Sequence, residues 1–129
     1  AEEQIKLTHK NETELNCMNQ LCNEAIKRLV NTGEPLDRFG KLLNDQWKIK
    51  RSLTKKISNY KIDSIYSAGI EAGALGGKLL GAGAGGFMLF YVPKDKQKSV
   101  KKALKSKLLV PFKFEYTGSK IIYYSHAKN

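Results

Sequence analysis

The fold is decided by residues 73–92, GALGGKLLGAGAGGFMLFYV. Eight of the chain's eleven glycines lie between Gly69 and Gly86. Because glycine adopts positive φ readily and has no Cβ, such a cluster lets main-chain N–H groups turn outward and lets a phosphate or a second backbone approach closely. The apolar runs GKLLG and FMLFYV predict two short strands, joined by a glycine loop at residues 81–86.

Helical patterns lie on both sides of these strands. Apolar residues three or four apart predict a first helix that ends at residues 31–33, a long second helix from Pro35 through Leu53, and a third that stops at Gly73. Another helix is predicted over about residues 94–107, followed by a closing hairpin made of VPFKFEY and KIIYY. The order ααα-ββαββ predicts an α+β domain with helices on one face of a mostly antiparallel, ferredoxin-like sheet.

Length and composition are those of one domain that spans residues 1–129. The charge-free run at residues 79–92, which only Pro93 extends, is the longest in the chain and is shorter than the roughly 18 to 20 residues of a membrane span. The N-terminus lacks the basic and then apolar order of a signal peptide, so the cytoplasm is the expected compartment. Cys17 and Cys22 lie five residues apart in a helical pattern, which matches neither a CxxC pair nor a zinc cluster.

The net charge of +11 raises the alternative of a basic α+β module that binds nucleic acid. In that alternative the lysines neutralise phosphates, and bases stack on Tyr116, Tyr123 and Tyr124. Only three residues are arginines, however, and the lysines are spread over every predicted element, which is typical of solvated faces. Nucleic acid is therefore the less favoured partner, and a ligand-sensing domain of ferredoxin-like outline is a third interpretation.

The glycine loop matches none of three familiar phosphate motifs in context. Residues 81–86 have the letters GxGxxG, but a strand pattern follows them where a dinucleotide site needs a helix N-terminus. Phe87 stands where a P-loop needs lysine, and the chain has no HRD or DFG sequence. Two roles stay open, an anion nest and a close-packing surface, and Lys78 near the loop favours the anion.

The chain offers only part of the groups that phosphoryl transfer requires, namely phosphate donors, a base and carboxylates for magnesium. No aspartate lies within the glycine segment, and His9 and His126 are near the termini. No Ser/His/Asp or Cys/His arrangement is supported. We therefore name no catalytic residue and no metal ligand in this chain.

The stretch at residues 73–92 resembles the third conserved motif of the GHMP kinases, the superfamily of galactokinase, homoserine kinase and mevalonate kinase. NDQWKIKRSLTKKISNYKIDSIY before the loop and VPFKFEYTGSKIIYY after it are similar to one branch of that superfamily. That branch phosphorylates D-glycero-D-manno-heptose 7-phosphate on its anomeric oxygen. The similarity extends over nearly the whole chain, from about Leu15 onward.

The resemblance implies that this chain is the C-terminal domain of an ATP-dependent sugar kinase, whose N-terminal kinase domain lies outside it. ATP and Mg²⁺ are the implied cofactors, and a sugar phosphate is the implied substrate. The family's ATP loop and catalytic aspartate belong to the N-terminal domain. The isolated chain is accordingly expected to be inactive.

In the family, the third motif packs against the phosphate-binding loop and borders the active-site cleft. The positions carried over to the nucleotide and substrate cleft are Gly81, Ala82, Gly83, Ala84, Gly85 and Gly86. Ala84 stands where the family commonly has another glycine, which leaves open whether that position needs a positive φ. Lys50 and Arg51 match a basic pair after the tryptophan in this branch, and with Lys78 they are the candidate phosphate contacts.

Overall fold

The structure, a computed structural model, describes residues 11–31, 33, 35–53, 57–81 and 85–120. The elements in chain order are α1 (Glu12–Val30), α2 (Asp37–Leu53), α3 (Tyr60–Glu71), β1 (Gly76–Leu80), β2 (Phe87–Tyr91), a 3-10 turn (Lys94–Lys96) and α4 (Gln97–Ala103). The two strands form an antiparallel sheet. The predicted α+β class is confirmed, as are three helices, two strands and a further helix in that order.

Local sequence signals place the helix ends. Helix α1 has Glu12 and Glu14 in its first turn and Lys27 and Arg28 in its last, charges that complement the helix dipole. Helix α3 is capped by Asn59, whose side-chain oxygen accepts the backbone N–H groups of the second and third helical residues at 3.1 Å each. None of the α1 residues is buried, so α1 forms an outer layer on α2.

Helix α2 lies directly on strand β1 because glycines remove the side chains between them. A Cβ on Gly76 would contact the carbonyl oxygen of Gly40 and would lie 2.7 Å from the backbone nitrogen of Asn44. A Cβ on Gly77 would lie 2.5 Å from the carbonyl oxygen of Leu89 on the paired strand. Backbone therefore packs against backbone at the start of β1.

The sheet register places Gly76 opposite Tyr91 and Leu80 opposite Phe87. Because side chains alternate along a strand, Leu79 points to the opposite face from Leu80. The core consists of Trp47, Ile57, Ile62, Tyr66 and Leu79. Trp47 is 1% exposed, and its ring centroid lies 5.8 Å from that of Tyr66. The core thus joins α2, α3 and β1.

Two predictions for the C-terminal part need correction. Helix α4 ends at Ala103 rather than near residue 107. Val100 is the buried residue of this helix and residues 105–107 are exposed, so no buried face supports a longer helix. Residues 110–116 form no strand, and each of them is exposed. A strand needs a paired neighbour, and most of the predicted partner, residues 121–124, lies outside the described residues. No described helix is both long and apolar enough to cross a bilayer.

Candidate functional site

Two glycines with positive φ stand at the ends of the predicted loop. Gly81 has a φ of 116° and Gly86 a φ of 122°, values that residues with a Cβ rarely adopt. A Cβ on Gly86 would also contact the carbonyl oxygen of Leu80. The backbone therefore requires glycine at both positions. Ala82, Gly83 and Ala84 lie outside the described residues, so the question of a positive φ at Ala84 stays open.

Gly85 differs from its neighbours. A Cβ built on it would have no described atom within 4 Å. A glycine is usually needed for a positive φ or for a close approach by another group. No such close approach to Gly85 is found within the described part of the chain.

The strand ends next to the loop carry exposed apolar side chains. Leu80 is 41% exposed and its cross-strand partner Phe87 is 62% exposed. Alternation along the strands puts Lys78 and its partner Leu89 on the same face as this pair. Lys78 is half-buried, and its ammonium group forms no ion pair with another described residue.

The direction of α2 brings the predicted basic residues toward the loop. Asn44 lies beside Gly76 at the start of β1, and Trp47, one turn later, shares the core with Leu79 near the end of β1. Helix α2 and strand β1 therefore advance in the same direction. The last turn of α2, with Lys50 and Arg51, consequently lies toward the end of the domain that carries the glycine loop.

Arg51 already has a carboxylate partner. Its Nη2 atom lies 2.8 Å from Oδ2 of Asp63, in the first turn of α3. The hydroxyl of Ser58 donates to the other carboxylate oxygen of Asp63 at 2.6 Å. This network joins the end of α2 to the start of α3. Contact of a phosphate with Lys50 or Arg51 stays a prediction.

Each described aspartate has a polar or charged partner. Asp37 accepts a hydrogen bond from the Tyr91 hydroxyl at 3.2 Å. The pKa of Tyr91 is raised, chiefly by burial and to a smaller extent by this hydrogen bond. The Oδ1 atom of Asp45 lies 4.0 Å from Nζ of Lys48, and Oδ2 of Asp95 lies 3.7 Å from Nζ of its neighbour Lys96. Within the described ranges, no three metal-ligating side chains come together. We therefore assign no magnesium ligand among the described residues. His9 and His126 lie outside the described residues.

The alternative of nucleic-acid binding concerns the part of the chain that follows the hairpin, residues 94–124. The lysines of residues 94–107 are all exposed. Tyr116 is 93% exposed, and the rings of Phe112 and Phe114 meet edge to face at 5.6 Å. Tyr123 and Tyr124 lie outside the described residues. Exposed aromatics therefore follow the basic helix in the chain.

Sequence reasoning missed two features of this site. It did not identify Gly40 and Gly69 as contact points, although a Cβ on either would come within 2.5 Å of an aromatic ring, Tyr91 or Phe90. An isolated glycine in a helical pattern was the available signal. It also did not predict the exposed pair Leu80 and Phe87, because a strand pattern alone does not say which face is covered.

Comparisons with known proteins agree with the architecture. The family model described as the C-terminal part of GHMP kinases matches residues 22–109. The chain is 38% identical over 99 residues to D-glycero-alpha-D-manno-heptose 7-phosphate kinase of Campylobacter jejuni. That match covers 73% of this chain and 28% of the kinase, so the chain spans little more than a quarter of its curated relative.

A solved structure shares the fold. The crystal structure of L. major mevalonate kinase in complex with R-mevalonate is similar with a TM-score of 0.66 and 24% sequence identity. The similarity covers 82% of this chain and 33% of the mevalonate kinase chain. At this identity the similarity concerns the fold alone.

Proposed function

Because the chain belongs to the GHMP kinase family through its C-terminal domain, we propose that it is one domain of a longer, ATP-dependent sugar kinase. The rest of that kinase supplies the ATP loop, the catalytic aspartate and the ligands for Mg²⁺. This division agrees with the incomplete set of reactive groups among the described residues. It also agrees with the 28% share of the curated relative that the chain spans. We place the enzyme in the cytoplasm.

The substrate we propose is D-glycero-D-manno-heptose 7-phosphate. The single observation that carries this choice is the 38% identity to a kinase named for that sugar phosphate. The enzyme transfers the γ-phosphoryl group of ATP to the anomeric oxygen of the sugar. Because phosphoryl transfer depends mainly on positioning and charge stabilisation, a domain can contribute to catalysis without holding the reactive base.

The contribution of this chain is the end of the domain that carries the glycine loop. Gly81 and Gly86 set the backbone at the two ends of the loop. We propose that the loop at residues 81–86 borders the cleft. Lys78 has no described ionic partner, which suits a side chain that neutralises a phosphate group. Lys50 and Arg51 lie toward the same end, where a second phosphate of the substrate or nucleotide would meet positive charge.

The test is ADP release by the full-length enzyme with ATP, Mg²⁺ and a panel of acceptors. The panel contains heptose 7-phosphate, unphosphorylated heptose, hexose 6-phosphates and mevalonate. We expect kcat/KM for heptose 7-phosphate to exceed that of every other acceptor at least tenfold. A preference for mevalonate or for an unphosphorylated sugar would overturn the substrate proposal, and no turnover of any acceptor would overturn the kinase itself.

Matched variants test the role of the basic residues. Lys78→Ala is expected to raise KM for the sugar phosphate or for ATP, because a positive partner of a phosphate is lost. Lys98→Ala, on the exposed surface of α4, is the control and should leave KM unchanged. The 129-residue chain alone should release no ADP above background. Turnover by that chain would contradict the division between two domains.

A second candidate function has a specific observation in its favour. The aromatic side chains of residues 112–116 are exposed next to a lysine-rich helix, an arrangement found in proteins that bind single-stranded nucleic acid. Binding of a labelled oligonucleotide, titrated with salt, distinguishes the two functions. Tight binding that weakens steeply with salt and is lost in Phe114→Ala would support it, and weak binding at low salt would remove it.

A further inference from the structure

The carboxylate of Asp63 is held on both of its oxygens. Its Oδ2 atom lies 2.8 Å from Nη2 of Arg51, in the last turn of α2, and its Oδ1 atom accepts a hydrogen bond from the Ser58 hydroxyl at 2.6 Å. Asp63 lies in the first turn of α3, where the helix dipole favours a negative charge. The side chain of Asn59 caps the same turn. Asp63 is therefore a fixed point against which the Arg51 side chain is placed.

The ion pair between Arg51 and Asp63 is a weak source of stability. The two side chains are 41% and 36% exposed, and ion pairs at such exposure add little to the free energy of unfolding because water screens the charges. The larger effect of the pair is on conformation. An arginine side chain has several rotatable bonds, and a carboxylate that binds its guanidinium restricts them. Arg51 is thus kept in one orientation.

A guanidinium in a fixed orientation suits a phosphate group. The bond to Asp63 engages one of the five N–H groups of Arg51. The guanidinium stays accessible from solvent, and the last turn of α2 lies toward the end of the domain that carries the glycine loop. Arginine binds phosphate through two parallel N–H···O bonds, which require a defined orientation of the planar group. An arginine that is oriented in advance loses less side-chain freedom when it binds the anion.

We propose that Asp63, supported by Ser58, is a positioning residue that orients Arg51 toward a phosphate group of a bound reactant. This phosphate belongs either to the sugar phosphate or to the nucleotide, which have the same chemistry toward a guanidinium. Asp63 acts through Arg51 and touches neither reactant. The inference rests on the proposed kinase function and gives a carboxylate of this domain a role other than that of a base or a metal ligand.

Steady-state kinetics of the full-length enzyme, with ATP, Mg²⁺ and heptose 7-phosphate, test this role. Asp63→Asn keeps the size of the side chain but removes its charge, so that Arg51 loses its fixed orientation. We expect KM for one of the two phosphate-bearing reactants to rise at least about fivefold, while kcat changes less than about twofold. Glu24→Gln is the matched control, because it neutralises a carboxylate that pairs with Arg28 at 2.6 Å on α1. It should leave both KM values unchanged.

Three KM values identify the phosphate and exclude a purely structural role. They are measured for ATP, for heptose 7-phosphate and for unphosphorylated heptose as a substrate or a competitive inhibitor. An increase for ATP alone, or for heptose 7-phosphate but not for unphosphorylated heptose, supports the proposal and assigns the phosphate. Equal increases for both sugars, or a decrease in kcat alone, would contradict it. A lower KM in Asp63→Asn would mean that the carboxylate repels the phosphate, which would overturn the proposal.

A double-mutant cycle shows whether Asp63 acts through Arg51. Arg51→Ala should raise the same KM at least as much as Asp63→Asn does, and adding Asp63→Asn to Arg51→Ala should change it by less than about twofold. Effects that multiply would contradict positioning. Asp63→Glu, which keeps the carboxylate, should recover most of the loss. If Asp63→Asn fails to fold, Ser58→Ala decides the question, because it should raise the same KM by about two- to threefold and an unchanged KM would overturn the proposal.

Failure of the kinase and failure of the positioning role are different results. No turnover of any acceptor by the wild-type enzyme would overturn the proposed function and this inference with it. Wild-type turnover with unchanged KM values in a folded Asp63→Asn variant would overturn the positioning role alone.

Discussion

The two ends of the β-hairpin use glycine for different reasons. At the end away from the loop, here called the packed end, Gly76 pairs with Tyr91, and glycine removes side chains so that α2 can contact the strand. At the loop end, where Leu80 pairs with Phe87, Gly81 and Gly86 have positive φ, and a Cβ on Gly85 would meet no described atom within 4 Å. One cluster in the sequence therefore contains a part that the domain needs for its own packing and a part that it does not.

The largest effect is expected at the packed end. Gly76→Ala places a methyl group against the carbonyl oxygen of Gly40 and the backbone nitrogen of Asn44, neither of which can move without shifting α2. We expect a loss of more than about 4 kcal/mol in the free energy of unfolding, measured by urea denaturation. Gly85→Ala is the control and should change that free energy by less than about 1 kcal/mol, because the methyl group would meet no described atom within 4 Å. Equal losses in both variants would abolish the distinction between the two ends.

Adjacent leucines on β1 provide a second comparison. Leu79 is 4% exposed in the core, whereas Leu80 is 41% exposed beside the loop. Leu79→Ala should therefore cost about 3 kcal/mol of unfolding free energy, and Leu80→Ala should cost less than about 1 kcal/mol. A register shifted by one residue would exchange the two faces and reverse this order. The same denaturation experiment would detect that reversal.

The two loop-end glycines with positive φ are expected to differ from each other. Gly81→Ala incurs the penalty of a positive φ without a clash among the described atoms, since its Cβ would lie 3.6 Å from the carbonyl oxygen of Gly85. Gly86→Ala adds a clash with the carbonyl oxygen of Leu80. We expect losses of about 1 kcal/mol for Gly81→Ala and about 2 kcal/mol for Gly86→Ala. A larger loss for Gly81→Ala, by thermal or urea unfolding, would contradict the loop geometry.

Much of the fold follows from periodicity. The three-to-four spacing of apolar residues predicted α1, α2 and α3, and the change to short apolar runs at residue 76 predicted both strands. The prediction is wrong at residues 110–116, where β-branched and aromatic residues predict a strand that the described structure does not contain. Such residues favour an extended chain, but pairing depends on a partner strand that the composition does not identify.

The candidate site was less predictable than the fold. The sequence located the glycine loop and Lys78, but spacing along the chain does not show that α2 and β1 advance in the same direction. That direction places Lys50 and Arg51 toward the loop, and the ion pair of Arg51 with Asp63 depends on how α2 meets α3. Such relations arise from packing between distant residues, which a one-dimensional pattern does not contain.

A partly buried hydrogen bond at the packed end provides one of the smaller expected effects. The Tyr66 hydroxyl donates to Oδ1 of Asn44 at 2.8 Å, beside the contact between Gly76 and α2. Tyr66→Phe removes this bond and should cost about 1 kcal/mol of unfolding free energy at neutral pH. Leu80→Ala, at the loop end, leaves the bond intact and serves as the control. A cost near zero would mean that this hydrogen bond does not contribute to the stability of the packed end.

The pH dependence of that cost sharpens the comparison further. Burial raises the pKa of Tyr66 above its ordinary value of 10.0, and the backbone N–H of Gly77 acts in the opposite direction. The folded protein therefore holds the phenolic proton more tightly than the unfolded chain, so the stabilisation from Tyr66 is complete below pH 10 and is lost as the pH rises through the raised pKa. The difference in unfolding free energy between wild type and Tyr66→Phe should accordingly be constant from pH 7 to 9 and decrease above pH 10. A difference that stays constant above pH 10 would show that burial does not raise the pKa of the Tyr66 hydroxyl.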